Sequence, residues 1–352
     1  MLHVPSGHDV VARVAQARLF MNFLDENVPQ SSPYHSVYKS WKQKFAQLPD
    51  DYIAHEFLEG VNEPSTFRDF LAAGEKHGLA YLAEVELASM ILDNHPAKLA
   101  KSVQTLASNQ LVATEQYLDM LTARTFRQSL LVSAERQAGI NRNLKPERFA
   151  DLHFIGGADL NFATDVKGGG VLSDASGRSA TVTTQALGDA LAQLVARFPA
   201  SSSVETLFRA LSASNRTDAV RQSLLDALYK MSISGLIRVS TEPVGAASLV
   251  RDRPIAWPLA RKDAANGHLA TVNLRHERVD IDILGQHILP LLDGTRNMQA
   301  VAAEVISAAR QGRLNFARDG IPIKDETALR QAVDAQVAAV LASFARAALL
   351  TG

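Results

Sequence analysis

The residues with the clearest chemical potential are His55-Glu56-Phe57-Leu58-Glu59. On a helix His55 and Glu59 lie one turn apart, a spacing at which an imidazole and a carboxylate can share a divalent cation. A zinc protease of the H-E-x-x-H kind needs a second histidine where this sequence has Glu59, and no third ligand stands at a recognisable spacing. The segment is therefore expected to form a polar network rather than a metal centre. Asn62-Glu63-Pro64 follows and reads as a helix stop and turn. Its density of polar groups between apolar helices makes residues 55–63 the best candidate site. A second candidate is Arg124-x-x-Arg127-Gln128, after Tyr117-Leu118-Asp119-Met120-Leu121. Two guanidinium groups about one turn apart can clamp a carboxylate, from a partner or from a neighbouring helix. Internal ion pairing is the plainer use of the same residues.

Absences carry as much weight. No strand-G-x-G-x-x-G-helix element with a downstream acid is present, and neither is a P-loop, a G-x-S-x-G elbow or an H-E-x-x-H. Gly156-Gly157 and Gly168-Gly169-Gly170 lie between strand-like segments and read as turns. With no cysteine, disulfides, thiolate zinc sites and cysteine nucleophiles are excluded. The expectation is a chain with no catalytic residues and no bound cofactor.

Charge excludes another class. Lys plus Arg (36) nearly balances Asp plus Glu (37), and the balance holds locally, at about −2 over residues 1–150, −1 over 151–245 and +2 over 246–352. No segment carries the basic excess on which phosphate-backbone binding depends. His8, Asp9 and Arg13 interrupt the N-terminal apolar run, and no later stretch is apolar enough to span a bilayer. No nucleic acid and no membrane are expected as partners, and the expected compartment is the cytoplasm.

The elements that must position these groups are mostly helical over residues 10–150. Val10, Val14, Met21 and Leu24 recur near helical spacing up to Val28-Pro29. Ser31-Ser32-Pro33 supplies a capping serine and a first-turn proline, and Tyr34, Val37, Tyr38, Trp41, Phe45 and Leu48 then form one amphipathic stripe. A third helix starts near Thr66 and stops at His77-Gly78, and two more are expected around 97–108 and 110–136. The aromatics Phe20, Phe23, Trp41, Phe45, Phe67 and Phe70 are expected in the core. Beyond residue 150, Phe162–Val166, Val171-Leu172 and Ala180–Thr184 read as strands joined by glycine turns, followed by three helices and a strand at Leu236–Val239. After a linker over 242–267 a third unit repeats the second. Leu187-Gly188 answers Leu284-Gly285 at a helix start, and Ala219-Val-Arg-Gln222 answers Ala328-Leu-Arg-Gln331. The last helix carries Leu329, Val333, Val337, Val340, Leu341, Phe344 and Ala348 on one stripe. The expected fold is mainly α, with a helical bundle domain (1–150) followed by two α+β winged-helix-like modules (151–245 and 246–352).

The run Tyr52-Ile-Ala-His55-Glu56-Phe-Leu-Glu59-Gly-Val-Asn62-Glu63-Pro64-Ser-Thr-Phe67-Arg-Asp-Phe70, continued by His77-Gly78-Leu79-Ala80-Tyr81-Leu82-Ala83-Glu84, resembles the methyltransferase regulatory domain of bacterial methyltransferases. Gln116-Tyr117-Leu118-Asp119 with Arg124-Thr-Phe-Arg127-Gln128 is similar to that domain's closing motif. Asn273-Leu-Arg-His-Glu277 and Leu291-Leu292-Asp293-Gly294-Thr295-Arg296 resemble the winged-helix-like segments of protein-lysine methyltransferases of the rickettsial outer-membrane-protein type. In that family an S-adenosylmethionine-binding catalytic domain precedes these parts, and Met1-Leu2-His3 falls where it would hand over. The resemblance therefore implies a non-catalytic regulatory or docking portion of a protein methyltransferase, not an enzyme by itself. Its partners would be a catalytic domain in cis or in trans, a protein substrate, and a second copy in a homodimer through apolar residues on the first two helices. The expected interface comprises His55, Glu56, Glu59, Asn62, Glu63, Tyr81, Glu84, Arg124 and Arg127. The alternative is a winged-helix DNA-binding regulator, for which a basic recognition helix would be needed.

Overall fold

Helix starts are written plainly in this sequence, and the computed structural model, which describes residues 9–318 and 320–352, uses them. The expected hand-over at Met1-Leu2-His3, like His8, lies outside those residues. Asp9 caps α1 (Val10–Asn27) by accepting the Ala12 N–H at 2.8 Å. Ser32 caps α2 (Pro33–Gln47), with Pro33 in the first turn as expected, and α3 (Asp50–Phe57) and α4 (Phe67–Glu75) follow. These belong to the first of two compact units, residues 1–77. Its core is small: Val14 and Ala17 of α1 meet Ile53, Ala54 and Leu58, with Phe45 and Leu48 against them. Arg18 ties the same elements, pairing with Asp50 at 2.6 Å and donating to Leu48 O at 2.9 Å. The amphipathic stripe of α2 is real in period but not in burial. Only Tyr38 is enclosed, while Trp41 stays 40% and Phe23 of α1 55% exposed, so these aromatics are not the core residues expected. Four short helices enclose too little volume to cover two full apolar faces.

The second unit, residues 78–352, begins with a departure from the sequence reading. Gly78, at φ +70°, ends the first unit's last turn, and Leu79–Glu84 then forms strand β1 instead of continuing helically. After α5 (Ala97–Ala107) and α6 (Leu111–Thr122), the expected long helix over 110–136 breaks at Ala123, whose φ is 50°. Ser129–Ser133 becomes β2, antiparallel to β1 with Glu84 opposite Ser129. Leu and Ala favour helices when nothing else acts, but cross-strand pairing over five residue pairs overrides that preference here.

The middle module has two sheets. Its core sheet contains β3 (His153–Ile155), β7 (Ser202–Ser203) and β8 (Arg238–Ser240) in the order β7-β3-β8. The glycine-turn segment forms a meander of β4 (Asn161–Thr164), β5 (Gly170–Ser173) and β6 (Ser179–Val182). Helices α7 (Gln185–Ala196), α8 (Val204–Arg209) and α9 (Asp218–Ile233) complete the module around Leu191, Leu194, Leu207, Leu224 and Leu228.

The C-terminal module repeats this plan. It holds α10 (Pro258–Ala265), the hairpin of β9 (Ala270–Val272) and β10 (Arg278–Asp280), then α11 (Ile283–Ile288) and α12 (Met298–Arg310). A short hairpin of β11 (Ala317–Arg318) and β12 (Ile321–Pro322) leads into α13 (Glu326–Arg346), whose stripe Leu329, Val333, Val337, Leu341 and Phe344 is buried. Residues 255–256 take the place of β3, bridged to Asp293 before α12 and to Leu350 after α13. The two Leu-Gly positions thus open equivalent helices, α7 and α11, and the two x-Arg-Gln positions open α9 and α13. Both helical glycines admit close neighbours. A Cβ on Gly188 would stand 2.2 Å from Gly168 O, and one on Gly285 would meet Phe344 at 3.1 Å.

About half of the described residues are helical, and the rest of them include five small sheets. The expected mainly-α class is therefore corrected to a mixture of helices and sheets, because β1 and β2 take residues expected to be helical and add to the strands of the modules. No helix among the described residues is long and apolar enough to cross a membrane.

Candidate functional site

One helix turn and one chain reversal build the densest polar cluster. Glu115 and Asp119 lie one turn apart on α6, beside the fully buried Leu118. The left-handed Ala123 then folds the chain back, and Arg124 N–H closes on Asp119 O at 3.0 Å. This reversal brings Arg124 and Arg127 alongside the two acids of their own helix, while β1 delivers Tyr81 and Glu84.

Arg127 is the hub. Its Nε donates to Asp119 Oδ2 at 2.9 Å and its Nη2 to Oδ1 at 2.8 Å, a two-pronged contact. Nη1 reaches Glu84 Oε1 at 2.6 Å, and Nη2 also reaches Glu115 Oε2 at 3.1 Å and Glu115 O at 3.0 Å. Glu84 Oε1 accepts in addition from the Tyr81 hydroxyl (2.9 Å) and the Ser129 hydroxyl (2.7 Å). Arg124 stands farther off, 3.5 Å from both Glu115 Oε2 and Asp119 Oδ1.

Three carboxylates face two guanidiniums here, nearly all out of water. Glu115 is completely enclosed and its Oε1 has no hydrogen-bond partner. Burial pushes its carboxyl above the usual carboxylate range, against the opposing pull of Arg127 and then Arg124. Burial, and then the hydrogen bond to Glu84, likewise push the Tyr81 phenol up. For Arg127 burial disfavours the charge, but the hydrogen bond to Asp119 and the neighbouring acids outweigh it and hold the guanidinium charged. The chemistry of this arrangement is a clamp: it joins β1, β2 and α6 through ionic hydrogen bonds.

The remaining expected site residues lie elsewhere. His55, Glu56, Glu59, Asn62 and Glu63 belong to the first unit and are exposed. His55 Nδ1 and Glu59 Oε1 meet at 3.1 Å, and Asn62 Nδ2 donates to Glu56 O at 2.8 Å, fastening the turn after α3. Thr66 caps α4 just beyond it. Among the described residues no group of three or more His, Cys, Asp and Glu is arranged to hold a metal ion. The structure thus gathers Tyr81, Glu84, Arg124 and Arg127 into one cluster and leaves the 55–63 residues as a separate exposed surface. Glu115 and Ser129 of the cluster escaped the sequence reading. The signal for Glu115 was present, as two acids at i, i+4 followed within a few residues by two arginines.

Helix α9 carries two cations, Arg221 and Lys230, and two acids, Asp218 and Asp226, and Arg221 lies 3.8 Å from Glu205 of α8.

Comparison with known proteins places these parts. Residues 49–133 match the family described as a predicted methyltransferase regulatory domain. Residues 252–349 match the C-terminal winged helix domain of PKMT. The structure of PKMT2 from Rickettsia typhi covers 96% of this chain with 69% of its own, at 22% identity and a TM-score of 0.79. This chain has the PKMT2 fold. The same protein in complex with AdoHcy covers 99% of the chain, again with 69% of its own, at 22% identity and a TM-score of 0.80. An uncharacterized protein of Rickettsia prowazekii (strain Madrid E) is 24% identical over 99% of this chain, which spans 65% of that relative's length.

The likeness overturns one expectation. Reading the chain as no enzyme rested on the missing glycine-rich loop, yet the fold over 99% of the chain recurs in a protein solved in complex with AdoHcy, so that reading does not stand. A missing signature bears on how a nucleotide is held and does not decide membership of an enzyme.

Proposed function

We propose that this chain works as a protein-lysine methyltransferase of the PKMT kind, with S-adenosylmethionine as the methyl donor. The observation that carries the reading is the joint presence, in one chain and in this order, of a methyltransferase regulatory domain and a PKMT winged helix domain. The bound AdoHcy of the Rickettsia typhi protein supports the donor, since AdoHcy is what S-adenosylmethionine becomes after giving up its methyl group. In this reading residues 49–133 modulate the reaction and the two winged-helix modules dock the protein acceptor. The balanced charge of α9 favours protein over nucleic acid as the docked partner. The exposed residues His55, Glu56, Glu59, Asn62 and Glu63 form the surface offered to a protein partner, and the Arg127 cluster keeps the β1–β2 ribbon rigid against α6.

The test is transfer of tritium from labelled S-adenosylmethionine to a panel of lysine-bearing protein acceptors, with acid hydrolysis to identify the product. Radiolabelled methyl-lysine supports the reading. No label on any acceptor at saturating donor overturns it.

A further inference from the structure

A cavity of about 490 Å³ opens between β6 and α9 in the middle module. Its floor is apolar. Ala180 and Val182 of β6, Leu187 of α7, and Ala227 and Met231 of α9 line it, and all five belong to the module core or pack against it. The more exposed lining is polar, with the hydroxyls of Ser179 and Thr181 on the strand side and Ser223, Asp226 and Lys230 on the helix side. A concave apolar surface of this volume, edged by a few convergent polar groups, is the common build of a small-molecule site.

The charged residues on α9 set the character of this site. Asp226 and Lys230 lie one helical turn apart, acid before base, an arrangement in which the two commonly pair with each other. Here they do not. Asp226 Oδ1 accepts the Gln222 amide at 3.0 Å, which fixes the carboxylate, and its Oδ2 has no protein partner among the described residues. Lys230 Nζ has none either, and its side chain is exposed while Asp226 is half-buried. The lining carries no other charge. The sister module shows that helix packing does not demand these groups. Matching Gln222 to Gln331, as the repeat does, sets Leu224 and Leu228 on Val333 and Val337, which are buried in both helices. Ser223, Asp226 and Lys230 then fall on Ala332, Ala335 and Ala339. The core stripe recurs, whereas the polar stripe is particular to α9.

We infer that this cavity binds a free α-amino acid with an apolar side chain, its ammonium on Asp226, its carboxylate on Lys230 and its side chain on the apolar floor. A zwitterion matches the lining in sign at both groups and is neutral in sum, as the lining is. A simple anion would meet Asp226, and a simple cation would meet Lys230, so a ligand of one charge leaves a repelling group beside it. At one-turn spacing the two Cβ atoms stand about 5–6 Å apart, and the flexible Lys230 stem lets its ammonium close on a group next to the one that Asp226 holds. The site lies in a module read above as docking the protein acceptor, but it does not depend on that reading, and its test involves no methyl transfer.

The probes are leucine, methionine and phenylalanine, each titrated into the full chain by isothermal calorimetry. Saturable one-site binding of at least one of them is expected. N-acetylation of that amino acid removes its ammonium and amidation removes its carboxylate, and each should weaken binding about tenfold or more, because one charge-assisted contact is lost. Asp226→Asn should weaken the parent amino acid similarly without weakening the N-acetyl form, and Lys230→Met should do so without weakening the amide. Melting curves show that the variants fold, and the derivatised ligands on the unaltered protein keep the test valid if one does not. No binding of any probe at millimolar concentration, equal binding of a probe and its derivatives, or binding unaltered in either variant would overturn the proposal. Tighter binding of the N-acetyl form would overturn it too, in favour of a plain anion site.

Discussion

Arg127 Nη2 lies 3.1 Å from Glu115 Oε2, and Glu115 is entirely removed from solvent. The pair is one spoke of a cluster in which a single guanidinium also holds Asp119 and Glu84. Removing the hub leaves three acids without their main partner, two of them buried. Arg127→Ala is expected to destabilise the second unit by about 3–5 kcal/mol, the usual cost of stranding a buried charge. Arg124→Ala, whose nearest acid oxygens are 3.5 Å away, should cost clearly less. Urea unfolding of both variants checks the order, and equal losses would contradict a hub at Arg127.

Glu115 sets a pH signature with a definite sign. Its folded-state pKa is raised above the ordinary 4.5, so below that value both states carry the proton and the group favours neither. As pH rises beyond 4.5 the unfolded chain releases the proton first, and folding loses stability until the folded pKa is passed. Glu115→Gln abolishes this term while its amide oxygen still accepts from Arg127. The variant should match or exceed the parent's stability at pH 7 to 8, with the advantage shrinking toward pH 4.5. Melting temperatures across that range decide it, and a large loss at pH 7 would show that the ionised carboxylate is needed.

Glu277 behaves oppositely. Burial works against its charge, but hydrogen bonds from Arg275, Asn273 and Arg238 hold its pKa at about 2. A depressed folded pKa gives stability that is present above about 4.5 and fades as pH falls toward 2. The parent should therefore be more stable than Glu277→Gln at pH 7, and the gap should narrow progressively below pH 4.5. Differential scanning calorimetry at pH 7, 4.5 and 3.5 measures it. A gap independent of pH would assign the loss to hydrogen bonding alone.

The sister glycines offer a comparison inside one chain. A Cβ at Gly188 meets a backbone oxygen at 2.2 Å, which cannot yield without moving the Gly168 turn. At Gly285 the nearest atoms are side-chain atoms at 3.0 and 3.1 Å, of Asp282 and Phe344. Gly188→Ala is expected to cost about 2–3 kcal/mol, near the upper range for overpacking, and Gly285→Ala about half of that. Denaturation midpoints of the two variants provide the ratio.

The exposed apolar side chains of the first unit predict association. Leu19, Phe23, Val37 and Trp41 remain open to solvent on α1 and α2, and clustered exposed apolar residues commonly mark interfaces. Light scattering over a dilution series should give a mass above that of the monomer, restored to monomer by Phe23→Glu with Trp41→Glu. A constant monomer mass for the parent would remove the dimer from consideration.

Local chemistry decided what the sequence alone could show. Ser32-Pro33 determined where α2 begins, because capping and proline geometry act within one turn. The glycines at 168, 170 and 177 determined the turns of the β4–β5–β6 meander through positive φ. The Leu-Gly and Arg-Gln echoes identified the module repeat, since equivalent packing positions demand similar residues. Burial and partnership were different matters. Leu79–Glu84 has the composition of a helix and became a strand only because Ser129–Ser133 returned to pair with it. Trp41 and Tyr38 share one stripe, yet only the tertiary packing enclosed Tyr38. The clamp around Arg127 joins residues from position 81 to position 129, and Glu277 holds Arg238 from a strand more than thirty residues earlier. Charges brought together across such separations are placed by the packing of whole elements, and no periodicity within one element encodes that placement.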